Sequence, residues 1–256
     1  MPKATKRERQ RQNRDARRQA MQEAEKRKKR NRTIRNAALL LIPLVIIFVI
    51  IQVTNSDDSS SNSAATKRTF SKAPAQTIDP AAKYTATIDT SEGTIVVDLD
   101  ASTYPTSVNN FVFLARQKFY DGLLVNRAAK DFVFQTGSPS NTQAGGPGYT
   151  VQGEVPTTTP AYPVGSVAFG KTGADPAGTA GSQFFVVTGS GNAGLPADYA
   201  FIGTVTQGLD VAQKISDLAP ASGDGTPTKK VTVKKVTITE VPAATSTSAA
   251  PTTAAP

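Results

Sequence analysis

Fifteen consecutive apolar residues, Ala37 to Ile51 with Pro43 among them, divide this chain into parts that cannot share one core. Extended by Gln52 and Val53, the run makes about 25 Å of helix at roughly 1.5 Å per residue, slightly short of a bilayer's hydrocarbon core. Before it, residues 1–36 hold 15 Lys/Arg against 4 Asp/Glu, a net +11. The whole chain carries +9, so everything after that tail is near neutral. So basic a tail suits nucleic acid when taken alone, but its place directly before an apolar run fits an anchor better, and nucleic acid is not the expected partner. The basic region is longer than that of a signal peptide, and Val53, Thr54 and Asn55 offer no small-x-small cleavage signature. Arg32 and Arg35 have stems long enough to snorkel and lengthen the span. The expectation is an uncleaved single-pass anchor over 37–53 in the cell membrane, with the N-terminus cytoplasmic and everything beyond Thr54 outside.

Residues 54–79 are rich in Ser, Asp, Ala, Thr and Lys, with Phe70 and Ile78 as the sizeable apolar side chains, and read as a solvated tether. Its root-mean-square reach as a flexible chain is about 25–30 Å. Residues 243–256 contain only Ala, Thr, Ser and Pro and read as a disordered tail. What remains, 80–242, is long enough for one hydrophobic core. Lys83 to Asp89 and Thr94 to Leu99 are β-branched runs around a short polar turn, a hairpin pattern. Val108, Phe111, Val112, Ala115 and Phe119 follow Pro105 at helical spacing, with a Ser or Thr placed to cap the first turn. Strand-like runs return at 123–127, 132–135, 166–169, 183–188 and 201–205, and a second short helix fits 209–215. In the last strand the apolar parity changes between Val233 and Val236 across Lys234-Lys235, which predicts a bulge or a strand that bends between two parts of a sheet. Many short strands with two helices indicate a mainly β barrel or sandwich.

The chain contains no cysteine and no histidine. These absences exclude disulfides, a thiol nucleophile, the Ser-His-Asp and Cys-His arrangements, the usual zinc sites and any histidine acid/base step. Gly165 to Thr172, GSVAFGKT, satisfies the G-x-x-x-x-G-K-[ST] phosphate-loop pattern. That loop requires a helix immediately after it, and Gly173, Pro176, Gly178 and Gly181 forbid one. Nucleotide hydrolysis is therefore set aside.

Three blocks remain: FYDGLLVNRAAKDFVFQTGSP from Phe119 to Pro139, GGPGY from Gly145 to Tyr149, and GSQFF from Gly181 to Phe185. In this order and at this spacing they resemble the active-site segments of the cyclophilin-type peptidyl-prolyl cis/trans isomerases, over roughly residues 80–242. The resemblance implies an eight-stranded antiparallel barrel with a helix closing each end, acting without cofactor or metal. It also implies Arg127 as the catalytic arginine, with Gln135 supporting it and contacting substrate backbone. Phe132, Val133, Phe185 and Leu195 would form the proline socket, with Ala168, Gln183 and Tyr199 along the groove. Several positions depart from the family pattern: Asn126 and Tyr199 stand where histidines are usual, Val133 replaces a larger methionine, and no tryptophan is present. These changes leave cyclosporin-type binding unsupported.

Peptide-bond rotation suits such a site, because its barrier of about 18–20 kcal/mol comes from amide resonance and needs no nucleophile to lower it. The twisted amide has a more basic prolyl nitrogen, so a fixed cation beside it stabilises the transition state more than either ground state. Arginine, always charged and rigidly forked, suits the task. The expected protein is a membrane-tethered isomerase, monomeric in its catalytic domain, that assists folding of proline-containing unfolded or exported polypeptides. Two alternatives stand beside it: a non-catalytic proline-binding or chaperone module on the same scaffold, and an interaction protein working through its basic tail.

Overall fold

Alternation of apolar and polar side chains along the chain is realised first as a hairpin, β1 Lys83–Thr90 and β2 Gly93–Leu99, in which every second residue of β1 is buried. The computed structural model describes residues 68–159, 161–189 and 194–243. The expected anchor at 37–53, the basic tail and residues 244–256 lie outside these. Among the described residues no helix is long and apolar enough to cross a membrane.

The further strands are β3 Arg127–Ala129, β4 Val133–Thr136, β5 Val151–Gln152, β6 Ser166–Phe169, β7 Thr179–Ala180, β8 Phe184–Val187, β9 Phe201–Gln207, β10 Asp224–Gly225 and β11 Val233–Val241. Nine of the eleven strands among the described residues form one antiparallel sheet in the order β10-β3-β4-β8-β6-β9-β2-β1-β11, while β5 and β7 pair separately. The two edges of the large sheet meet. Leu124 bridges to Thr232, the Gly122 N–H donates to the Val233 carbonyl at 2.7 Å, and the Val233 N–H returns to Leu123 at 2.8 Å. Closing the ladder between the segment leading into β3 and the start of β11 removes the exposed edges that an open sheet would present. Eight strands share the ring so closed, and β10 lies alongside β3. The bulge expected near Lys234-Lys235 is present: Asp89 pairs with Lys235 and Thr90 with Val233, leaving Lys234 as the extra residue.

Two helices accompany the sheet, α1 Pro105–Arg116 and α2 Leu209–Ser216. The sequence expectation of a Ser or Thr cap on α1 is not met. Pro105 opens the helix, which puts Thr106 and Ser107 inside it as residues whose own N–H groups need partners. The partner comes from 48 residues downstream: the Glu154 carboxylate accepts from the Thr106 N–H at 2.9 Å and from the Ser107 N–H at 3.1 Å. Burial opposes the charge on Glu154, but the hydrogen bonds from Thr106 and Ser107 outweigh it and hold the carboxyl below its ordinary value. At the other end the helix stops at Arg116, before the expected Phe119. Lys118 adopts a left-handed φ of 55°, the Phe119 N–H bonds to Leu114 at 3.0 Å, and the Lys118 N–H bonds to Ala115 at 2.9 Å. This pair of bonds is the Schellman arrangement, and it turns Phe119 back into the core.

Part of the segment read as a solvated tether is instead folded. Phe70 is 9% exposed and Ile78 5%, and the Phe70 ring meets Phe113 edge-on at 5.1 Å. Asn109 on α1 receives the Thr77 N–H at 2.9 Å and donates to the Ala75 carbonyl at 3.0 Å, while Arg68 donates to the Asp121 carbonyl at 2.6 Å. Composition suggested a polar coil, but two apolar anchors and one asparagine that satisfies backbone groups suffice to dock it. Residues 68–79 belong to the folded unit. Phe70→Ala should therefore lower the unfolding free energy by about 3 kcal/mol in a urea titration, and a loss under about 0.5 kcal/mol would return the segment to the tether.

Candidate active site

Side chains alternate across a strand, and β4, β6 and β8 bury both of their faces. Phe134, Val167, Phe169, Phe184 and Val186 point into the large core. Val133, Ala168, Phe185 and Val187 point the other way, into a second cluster with Ala129 and Tyr162, against which Phe132, Leu195, Tyr199 and Phe201 pack. Strand pairing sets these residues in rows. Arg127 is opposite Gln135, Gln135 opposite Phe185, Phe185 opposite Ala168, and Ala168 opposite Phe201. A neighbouring row runs Ala129, Val133, Val187. Arg127, Val133, Gln135, Ala168 and Phe185 thus lie together across β3, β4, β8 and β6, Phe132, Leu195 and Tyr199 pack against the apolar members from outside these strands, and Gln183 is hydrogen-bonded to Gln135.

The two motif blocks are brought together by a close backbone approach. At Gly137, with φ 92°, a Cβ would lie 2.3 Å from the Ser182 carbonyl oxygen, and the Ser182 hydroxyl donates to the Gly137 carbonyl at 2.7 Å. Only glycine accommodates both the left-handed backbone and the contact. This contact fixes Gln135, two residues earlier, beside Gln183.

Arg127 opens β3 with its guanidinium carbon 5.9 Å from the centre of the Phe132 ring. Its Nε and Nη2 donate to the two carboxylate oxygens of Asp224 at 2.8 and 2.7 Å. The hydrogen bond to Asp224 raises the arginine's pKa above its ordinary value, and the same bond lowers that of Asp224. The carboxylate facing the arginine is thus Asp224, not the nearer-in-sequence Asp131.

The resemblance assigned support of the arginine to Gln135, but Gln135 is held elsewhere. Its Nε2 donates to Gln183 Oε1 at 2.9 Å. That same oxygen accepts from Asn126 Nδ2 at 3.2 Å, and Asn126 also donates to the Thr142 carbonyl. Gln183 Nε2 donates to the carbonyls of Gly145 and Gln143 at 2.9 and 3.2 Å. Its amide is therefore fully engaged within the protein, where the sequence reading had it holding substrate backbone. Gln135, Gln183 and the GGPGY loop border an open cavity of about 360 Å³, also lined by Lys171 and Asp175.

Phe185 and Tyr199 meet edge-on at 5.2 Å. Tyr199 is fixed by Tyr162, whose hydroxyl donates to the Tyr199 carbonyl at 2.6 Å and accepts its N–H at 2.8 Å. Burial pushes the Tyr162 hydroxyl up to about 12. Lys171, from the rejected phosphate-loop pattern, is nearly buried, pairs with Asp198 at 2.6 Å and lies over the Tyr199 ring. Ser166–Phe169 of that pattern is strand, and no helix follows it. Sequence reasoning missed Tyr162, Phe201 and Asp224. Tyr162 sits between prolines that read only as breakers, and Asp224 lies in a Gly-rich turn without periodicity, so neither carried a local signal.

The family model described as "Cyclophilin type peptidyl-prolyl cis-trans isomerase/CLD" matches residues 85–238. The chain belongs to that family. It is 37% identical to a peptidyl-prolyl cis-trans isomerase of Helicobacter pylori over 135 residues, covering 51% of this chain and 78% of the relative. Peptidyl-prolyl cis-trans isomerase B of Bacillus subtilis is 38% identical over 113 residues, 44% of this chain and 76% of that protein. A probable isomerase B of Mycobacterium tuberculosis is 33% identical over 172 residues, 60% and 54%. In fold the chain is similar to a Cryptosporidium parvum cyclophilin, at TM-score 0.53 and 23% identity, covering 62% of this chain and 99% of that one. The protein is a cyclophilin-type isomerase with a mainly β, antiparallel fold. Within this cyclophilin domain, Tyr162→Phe leaves the Tyr199 N–H without its acceptor and should cost about 1–2 kcal/mol by urea titration. An unchanged midpoint would remove that hydroxyl from the account of the site.

Proposed function

We propose that this cyclophilin accelerates X-Pro rotation in exported polypeptides from a membrane tether, with Arg127 as the cation beside the twisting amide. The observation that carries the reading is the guanidinium held over Phe132, at the edge of an apolar surface that includes Val133, Phe185 and Leu195. A proline ring seated on that surface would bring its nitrogen towards the arginine. With Nε and one Nη2 hydrogen taken by Asp224, Nη1 and the second Nη2 hydrogen have no partner among the described residues. Those donors would meet charge that develops as the amide deconjugates, in surroundings drier than water where such contacts strengthen. Gln135 leaves Oε1 without a partner among the described residues and would receive a substrate N–H. Substrates would be broad, because a proline ring with flanking backbone is the common requirement.

The outward-facing tether rests on composition: a +11 tail, then the apolar run Ala37 to Ile51, then a polar stretch to about residue 67. Exported chains would meet the domain as they emerge unfolded, when slow X-Pro isomerisation limits folding.

Two measurements test these claims. In exchange spectroscopy on an X-Pro peptide, Arg127→Ala should reduce kcat on the order of 10²-fold; a rate equal to wild type would dismiss Arg127 from the chemistry. Protease added outside intact cells should digest the domain after Thr54 while sparing residues 1–36. Protection of the domain until the cells are broken would overturn the orientation.

A further inference from the structure

We propose that Asp224 is a positioning residue for the isomerase reaction: it holds the Arg127 guanidinium in the one orientation that leaves Nη1 free over the socket. The inference rests on the assignment of Arg127 as the reacting donor and names what sets that donor's geometry.

Three side chains are placed by sequence or register to hold this arginine. Gln135 is its cross-strand neighbour but gives its Nε2 to Gln183. Asp131 lies in the turn between β3 and β4, with a left-handed φ of 53°, and makes no ion pair with Arg127. Asp224 makes both contacts of a fork. A bidentate carboxylate fixes the plane of a guanidinium as well as its position, which a single hydrogen bond does not.

The platform under Asp224 is built on the arginine's own strand. Asp224 pairs with Ala129 and Gly225 with Ala128, so β10 extends β3 on the side away from Gln135. The turn leading in is tied by the Lys130 N–H to Gly223 at 3.0 Å and by the Gly223 N–H to Pro220 at 2.8 Å, and the Ser222 hydroxyl donates to the Asp224 carbonyl at 3.2 Å. Carboxylate and guanidinium are thus both referenced to one short strand, and their relative placement follows from the backbone.

Stability is a poor explanation for the pair. The side chains are 25% and 49% exposed, and ion pairs this open to water contribute about 0–1 kcal/mol. Geometry gains more from it. An arginine left to its own rotamers would share its time among many orientations, and a donor must be aimed for a reaction that depends on positioned charge.

A double-mutant cycle on the full chain, read by exchange spectroscopy on an X-Pro peptide, tests the proposal. Asp224→Ala should lower kcat about tenfold with KM changed less than about twofold, because the apolar surface stays intact. Asp224→Glu should recover part of the loss, since the carboxylate remains within reach. In an Arg127→Ala background, Asp224→Ala should add nothing further. Wild-type or higher kcat in Asp224→Ala, beside a disabled Arg127→Ala, overturns the positioning role and leaves the arginine's role standing. An equal fold-loss in both backgrounds overturns it too, as the mark of a merely structural residue. Full activity in Arg127→Ala alone removes the assignment of the arginine and the positioning role together.

Discussion

Three central strands bury both faces, and the site exists because of it. On β4, β6 and β8 one set of side chains fills the barrel and the alternate set forms an apolar sheet outside it. The exterior set would be a liability on an ordinary barrel, since a contiguous exposed apolar patch invites association. Here Tyr162 sits within it and Phe132, Leu195, Tyr199 and Phe201 pack over it, so that Val133, Ala168, Phe185 and Val187 are at most 4% exposed, with Arg127 at the edge beside Phe132. A period of two and a fixed register place a cation, an amide and a ring in one row, with no loop needed to bring them there.

Around that surface several polar groups are held by distant parts of the chain. Glu154 caps α1, Gln183 ties Gln135 to the 142–145 loop, and Tyr162 holds Tyr199 by both backbone groups. Each of these bonds joins segments at least 37 residues apart in sequence. They set the positions of loops that hydrophobic burial, being non-directional, would leave imprecise.

This division explains what the sequence disclosed. The hairpin, both helices, the bulge at Lys234 and the long strands all carry period-two or period-3.6 patterns, which are local. Arg127, Phe132, Val133, Gln135, Gln183 and Phe185 could be singled out because they lie in two contiguous motif blocks whose resemblance to cyclophilins is specific. Less legible were the partners across the fold. Nothing near Thr106 announces that a glutamate 48 residues on will cap its helix, and nothing near Arg127 points to Asp224, 97 residues away. The docking of Phe70 was hidden for a different reason. Composition averages over a segment, whereas burial of two side chains is enough to order it when the facing helix supplies an asparagine.

The absence of histidine and cysteine from the whole chain fits a reaction that moves no proton and forms no bond to the enzyme. The charged and hydroxyl groups whose titration is displaced at the site move away from neutrality: Arg127 is raised by Asp224, Asp224 is lowered by Arg127, and Tyr162 is raised by burial. Acid/base enzymes do the reverse, drawing pKa values towards the working pH so that a group changes state within the cycle. A site for amide rotation gains from the opposite setting. In the role proposed for Arg127 the cation would have to remain a cation throughout, and the carboxylate proposed to aim it would have to remain charged for the same interval, so mutual stabilisation of the two ions would itself be part of the preorganisation.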